Sequence, residues 1–392
     1  MANPFIRNRF TWLAYFMLAF FGYFLNILGP ITPFLKEELG LSYTVSSLHF
    51  TAFAVGILIV GFGGHIVIQR LGRWRSLWVG AIGMSLGVLL LLVGKSPVIT
   101  IGASFLMGLI GSLILTIVPS ALSDQHGDQR AVAYAEANVI SSLIATAAPL
   151  LVGLAEGAVP AGGWRLALGI AAFTPILIWF GFGKARPPQI AVTQQEPAAE
   201  KRPLPALFWV YWVGIVLAVA VEFCMISWSA DYLENSFGIP KVEAAQCVSL
   251  FLGAMIVGRL AGSRLVQLFS ASKLVVFSIF VASAGFFIFW MGKTVLLGVS
   301  GLFITGLGVA SLYPLILSLA IGAAGGQTVL ASARATLASG TAILTLPLVL
   351  GRLADAVGIH QAYGVVAVLL ICVFLIIQFA GRIAPLRQSV AK

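Results

Sequence analysis

The chain has 392 residues, 60% of them hydrophobic and only 9% charged, with a formal net charge of +10. Ordinary soluble domains are roughly 25% charged, so this composition excludes a soluble enzyme as the bulk of the chain and leaves an all-α integral membrane protein. Apolar runs of about 18 to 25 residues recur along nearly the whole length, each able to cross a hydrocarbon core of about 30 Å as a helix, whereas barrel strands need much shorter alternating segments.

Twelve spans are predicted, at 10–34, 44–69, 76–94, 98–123, 129–155, 164–183, 207–232, 242–268, 273–292, 295–321, 327–354 and 360–382. The first follows Arg7 and Arg9, is too long for a signal-peptide core and lacks a small-residue cleavage site, so it is expected to stay as a helix. It carries Tyr23 and Asn26, whose i, i+3 spacing puts them on one face as candidate cavity walls. Helix 2 holds the single histidines His49 and His65, which have no metal-binding spacing. Helix 5 contains Glu136, about 12 Å deep at a rise of about 1.5 Å per residue.

The polar stretch at 184–206, rich in Pro, Gln and charge, reads as a linker between an amino-terminal half, 1–183, and a carboxy-terminal half, 207–392. Beyond it, helix 7 carries Glu222 slightly past its middle, helix 8 carries Arg259, helix 10 carries Tyr313 beside Pro314, and helix 11 carries Arg334. Ionisable residues inside membrane spans cost kilocalories and mark pathways, partners or relays. Cys224, Cys247 and Cys372 sit in apolar segments as packing residues. "GAAGGQT" at 322–328 lacks the Gly-Lys-Ser/Thr ending of a nucleotide loop. No cofactor, metal or catalytic residue is expected.

The basicity is a topology signal rather than a nucleic-acid footprint. About fifteen lysines and arginines fall in segments expected inside and about six outside, which predicts a multi-pass plasma-membrane protein, an inner-membrane one in a Gram-negative cell, with both termini cytoplasmic. The halves also resemble each other. "GDQRAVAYAEANVISSLIATAAPLLVG" from Gly127 aligns without gaps on "GGQTVLASARATLASGTAILTLPLVLG" from Gly325, and "GILIVGF" from Gly56 on "GAMIVGR" from Gly253. These matches pair helix 5 with helix 11, Glu136 with Arg334, and Phe62 with Arg259.

The segments "LGPITPFLKEELGLSYTVSSLHFTAFAVG" (28–56), "RLGRW" (70–74) and "PLVLGRLADAVG" (347–358) resemble the major facilitator superfamily across essentially the whole chain. The resemblance implies twelve helices in two six-helix repeats, rocking about a midplane site in alternating access. In the family's loop between helices 2 and 3, Gln69 stands where an aspartate is expected. "VEFCMISWSADYL" (221–233) is similar to the pattern opening the second half of fucose-permease-like sugar:proton symporters, and the match places Glu222, Trp228 and Tyr232 on that pattern.

Glu136 and Arg259 lie at similar depth on helices that the resemblance brings together, so a pair closing the cytoplasmic side is one reading; a bridge within one half and a protonated proton carrier are the others. Glu222 is the candidate for proton coupling or hydroxyl recognition. Arg334 lacks an evident acid and invites either an anionic ligand or a contact with backbone carbonyls or Glu222. The expectation is a monomeric secondary transporter, not an enzyme, moving a small polar, sugar-like solute with protons. An organic-anion carrier using Arg334 and Arg259, a proton-driven drug exporter, and a transporter-derived receptor or lipid scramblase stand as alternatives.

Overall fold

The computed structural model describes residues 5–160, 162–187, 203–266, 268–325 and 327–390. Among these, twelve helices are long and apolar enough to cross a membrane: α1 (Arg9–Leu39), α2 (Tyr43–Leu71), α3 (Arg73–Val93), α4 (Pro97–His126), α5 (Val132–Ala158), α6 (Gly163–Phe182), α7 (Ala206–Phe237), α8 (Lys241–Leu265), α9 (Ala271–Met291), α10 (Val295–Gly322), α11 (Arg334–Val357) and α12 (Ile359–Ile383). All twelve predicted spans are present, and the described residues contain no strand. Most of the expected linker, 188–202, lies outside the described residues.

Helices are what these sequences must form in hydrocarbon, because a helix satisfies each backbone N–H and C=O within one segment. α1 has 31 residues, about 46 Å of helix, longer than the core it crosses. Local chemistry sets the boundaries. Pro97 opens α4, where its missing N–H costs no hydrogen bond, and Gly238 ends α7 in the left-handed region at φ 68°. Four spans are interrupted: α4 at Ser112, α6 at Phe173 ahead of Pro175, α10 at Ala310 and Ser311, and α12 at Tyr363.

The chain divides into two compact units, Met1–Ile31 with Leu48–Lys201, and Thr32–Ser47 with Arg202–Lys392. In the first, α3 packs on α4 and α6, and α5 on α4 and α6. In the second, α7 is the hub, against α8, α10, α11 and α12, while α9 lies against α10 and α12. The last turns of α1 and the first of α2 cluster with this second unit.

Each unit repeats the other's helix plan at one offset. α2 and α8 begin 198 residues apart (43 to 241), as do α3 and α9 (73 to 271) and α4 and α10 (97 to 295). The packing repeats too. A Cβ on Gly108 would stand 2.0 Å from the Phe53 carbonyl oxygen, and one on Gly306 would stand 2.5 Å from that of Phe251. Likewise Gly87 lies against the Met107 backbone nitrogen, and Gly285 against that of Thr305. These close backbone approaches need glycine. They also correct the helix 2 register by one residue: Phe53 corresponds to Phe251, so Gly61, not Phe62, is the counterpart of Arg259. A short glycine-rich match can slide by one position; a backbone-to-backbone contact cannot.

Candidate functional site

In the first unit, Glu136 sits one and a half turns into the helix Arg130–Ala158. Its carboxylate accepts from Arg7 Nε at 2.8 Å and Nη2 at 2.5 Å, and from the Tyr15 hydroxyl at 3.0 Å. Beside this cluster, Thr11 Oγ1 lies 2.9 Å from His126 Nε2. The hydrogen bonds to Glu136 raise the Arg7 guanidinium above its usual value. A bidentate guanidinium pairs with the acid and a phenol adds a third hydrogen bond, all inside one unit, which is the geometry of a bridge within one half.

Tyr23 is buried, and its hydroxyl donates to the Ala167 carbonyl at 3.0 Å. Asn26 is half-buried and donates to the Gly22 carbonyl of its own helix at 2.8 Å. Tyr23 spends its one donor on α6, and Asn26 bonds back to its own helix. His49 is buried, with Nε2 2.9 Å from Thr100 Oγ1 on α4.

In the second unit, the Glu222 carboxylate on α7 lies 3.5 Å from Nη2 of Arg259 on α8, with 16% of the Glu222 side chain exposed against 42% of Arg259. Arg259 thus has an acid within its own unit. Trp228 is fully buried, donates from Nε1 to the Pro347 carbonyl at 3.1 Å, and packs its ring 5.5 Å from Tyr43. Tyr313 is half-buried just after the break in α10. Arg334 is exposed, and its carbonyl accepts from Trp212 Nε1 at 2.7 Å. Of the predicted residues in this unit, the structure joins Glu222 to Arg259 and anchors Trp228 to α11. The described residues hold no cluster of three or more His, Cys, Asp or Glu fit to bind a metal.

A charged cluster that sequence reasoning missed sits where α1 ends and α2 begins. Lys36 pairs with Asp231, whose side chain is fully buried, and lays its ammonium 3.9 Å from the centre of the Tyr43 ring. Asn235 donates to the same carboxylate at 3.1 Å. Lys241 pairs with Glu37 and lies 3.6 Å from Glu234. Asp355, at the end of α11, accepts the first backbone N–H groups of α2, Tyr43 at 2.7 Å and Thr44 at 2.8 Å. A carboxylate on exposed N–H groups at a helix start is favoured both by hydrogen bonding and by the helix dipole. The available signal was Asp231 itself, an acid inside a predicted span, to which the reasoning used for Glu136 applies equally.

Residues 11–333 match the family model described as Major Facilitator Superfamily. A protein of Brucella abortus described as a glucose/galactose transporter is 29% identical over 373 residues, 88% of each chain. Among solved structures, a bacterial homologue of the human lysosomal transporter Spinster superposes with a TM-score of 0.80 at 13% identity, covering 97% of this chain and 98% of that one. A D-xylose-proton symporter gives 0.76 at 14% identity, over 95% and 96% of the two chains.

Proposed function

Because the chain belongs to the Major Facilitator Superfamily, and so is a membrane transporter rather than an enzyme, we propose that it carries a sugar-like solute by alternating access, driven by protons. The observation that carries the sugar reading is the alignment over 88% of both chains with the Brucella abortus glucose/galactose transporter. The halves 1–183 and 207–392, joined by the linker 184–206, are the moving bodies in this reading.

Glu222 is the proposed proton carrier. It is mostly shielded and placed 3.5 Å from one arginine, so gaining or losing a proton changes whether Arg259 is held. A carboxylate can accept hydrogen bonds from hydroxyls in one protonation state and titrate into the other. Asn26, Tyr313 and Trp228 are the proposed cavity residues, while Tyr23 faces a different, apolar groove. Trp228 already spends its single donor on a backbone carbonyl, so its contribution to a solute is ring surface. The gating role of Glu136 and Arg259 becomes, in this reading, an exchange of partners: Glu136 leaves Arg7 and Arg259 leaves Glu222 in the state that shuts the cytoplasmic side. Symport, an inner-membrane location, a monomeric carrier and cytoplasmic termini belong to the same proposal.

The organic-anion reading keeps one specific support, the exposed side chain of Arg334. Counterflow in proteoliposomes separates the readings. Vesicles loaded with galactose should take up labelled galactose, and unlabelled glucose should compete while dicarboxylates do not. Uptake that responds to dicarboxylates alone supports the anion carrier, and binding without exchange supports a receptor.

A further inference from the structure

The first unit contains a cavity of about 560 Å³ bounded by α1, α5 and α6. Its floor is buried, with Phe20 4%, Tyr23 5% and Ala167 8% exposed, while its rim is not, with Leu154 63%, Ile170 74% and Leu151 46% exposed. α6 breaks at Phe173, and small or short residues on either side of the break, Ala171 and Thr174, line the cavity. Pro175 follows, and a residue without an N–H cannot continue the ladder through the break.

The lining contains no charged residue, and its polar side chains are the hydroxyls of Tyr23 and Thr174. The Tyr23 hydroxyl is already given to the Ala167 carbonyl. A sugar placed here would bury several hydroxyls without partners, at a cost of about 1 to 3 kcal/mol for each. An alkyl chain loses nothing by entering. The volume lies in the range of about 300 to 1,000 Å³ typical of ligand cavities. The rim is made by helices long and apolar enough to cross a membrane, on which Leu143, Phe173 and Leu177 are also exposed. That surface is covered by bilayer lipid, so the hydrocarbon that meets the rim is a lipid tail.

We propose that this groove is a binding site for one acyl chain of a membrane phospholipid, held between α1, α5 and α6 and separate from the solute path. The site is independent of the sugar reading, because the test measures bound lipid and requires no transport. The full-length protein is exchanged into detergent with dioleoylphosphatidylethanolamine, washed with increasing detergent, and weighed by native mass spectrometry. One phospholipid per chain should persist after the others are stripped. Ala171→Phe, which fills the groove from α6, and Ala155→Phe, which fills it from α5, should each lower that retained fraction about tenfold. Leu151→Ala trims the rim without crowding the fold and should lower it several-fold, which decides the matter if a filled variant does not fold. The proposal is overturned if the filled variants retain the same single lipid, if lipids leave as a graded series with no last one, if added galactose rather than lipid occupies the wild-type groove, or if the retained species is a dimer whose formation the filled variants abolish.

Discussion

Arg7 holds Glu136 by two parallel hydrogen bonds, and both residues belong to the same unit. The side chains remain 44% and 29% exposed, so solvent screens the pair. Arg7→Ala should therefore produce only a small shift in thermal unfolding. The functional consequence proposed for Glu136 is different in kind. Glu136→Gln and Arg259→Gln should each speed labelling of a cysteine placed on the cytoplasmic side, and the exchanged pair, Glu136→Arg with Arg259→Glu, should restore part of the slow rate. Unchanged labelling in both single variants refutes the partner exchange.

Lys36 and Asp231 make a contrasting pair, since the carboxylate is fully buried. Removing only the cation leaves a charge without its partner, which costs about 3 to 5 kcal/mol. Lys36→Met should lower the unfolding temperature by several degrees more than Arg7→Ala, and Lys36→Met with Asp231→Leu should recover much of the loss. Equal small shifts for Lys36→Met and Arg7→Ala would contradict this ranking.

The paired glycine contacts predict paired penalties. Gly108→Ala and Gly306→Ala each push a methyl group against a backbone oxygen and should destabilise by about 1 to 3 kcal/mol, the usual cost of overpacking. Gly63→Ala is the control, since nothing lies within 4 Å of its Cβ position and alanine is the better helix former. Equal melting temperatures for all three variants would remove the packing argument.

Arg334→Ala separates the two solute readings by binding alone. A neutral sugar should bind the variant as it binds the wild type, because the proposed sugar contacts lie elsewhere. An anionic solute should lose affinity. Calorimetry with galactose and with a dicarboxylate reads both, and loss of galactose binding would place Arg334 in the sugar site.

The twelve helices were legible because hydrocarbon thickness and backbone hydrogen bonding leave a span few alternatives. The repeat was legible through helices 5 and 11, where long runs align; at helix 2 the short "GILIVGF" match slid by one residue, and the Phe53–Gly108 contact was needed to fix it. Glu136 stood out in sequence because it is an acid in an apolar run. Its partner did not: Arg7 lies 129 residues away and was read only as a topology signal. Asp231 is an acid inside "VEFCMISWSADYL" with no basic residue near it in sequence, and Lys36 and Asp355 become informative only when the α1–α2 turn is placed beside α7 and α11. Sequence spacing reports neighbours on one helix, whereas each of these pairs joins two distant segments.

One comparison tests the proposed proton-coupling role of Glu222 most directly. The decisive measurement compares galactose accumulation under an imposed proton gradient with galactose counterflow at equal pH, in proteoliposomes carrying wild type or Glu222→Gln. The amide keeps hydrogen-bonding capacity but cannot titrate. Accumulation should therefore fall at least tenfold in the variant while counterflow stays within about twofold. Undiminished accumulation by Glu222→Gln, or an equal loss of accumulation and counterflow, would contradict the assignment.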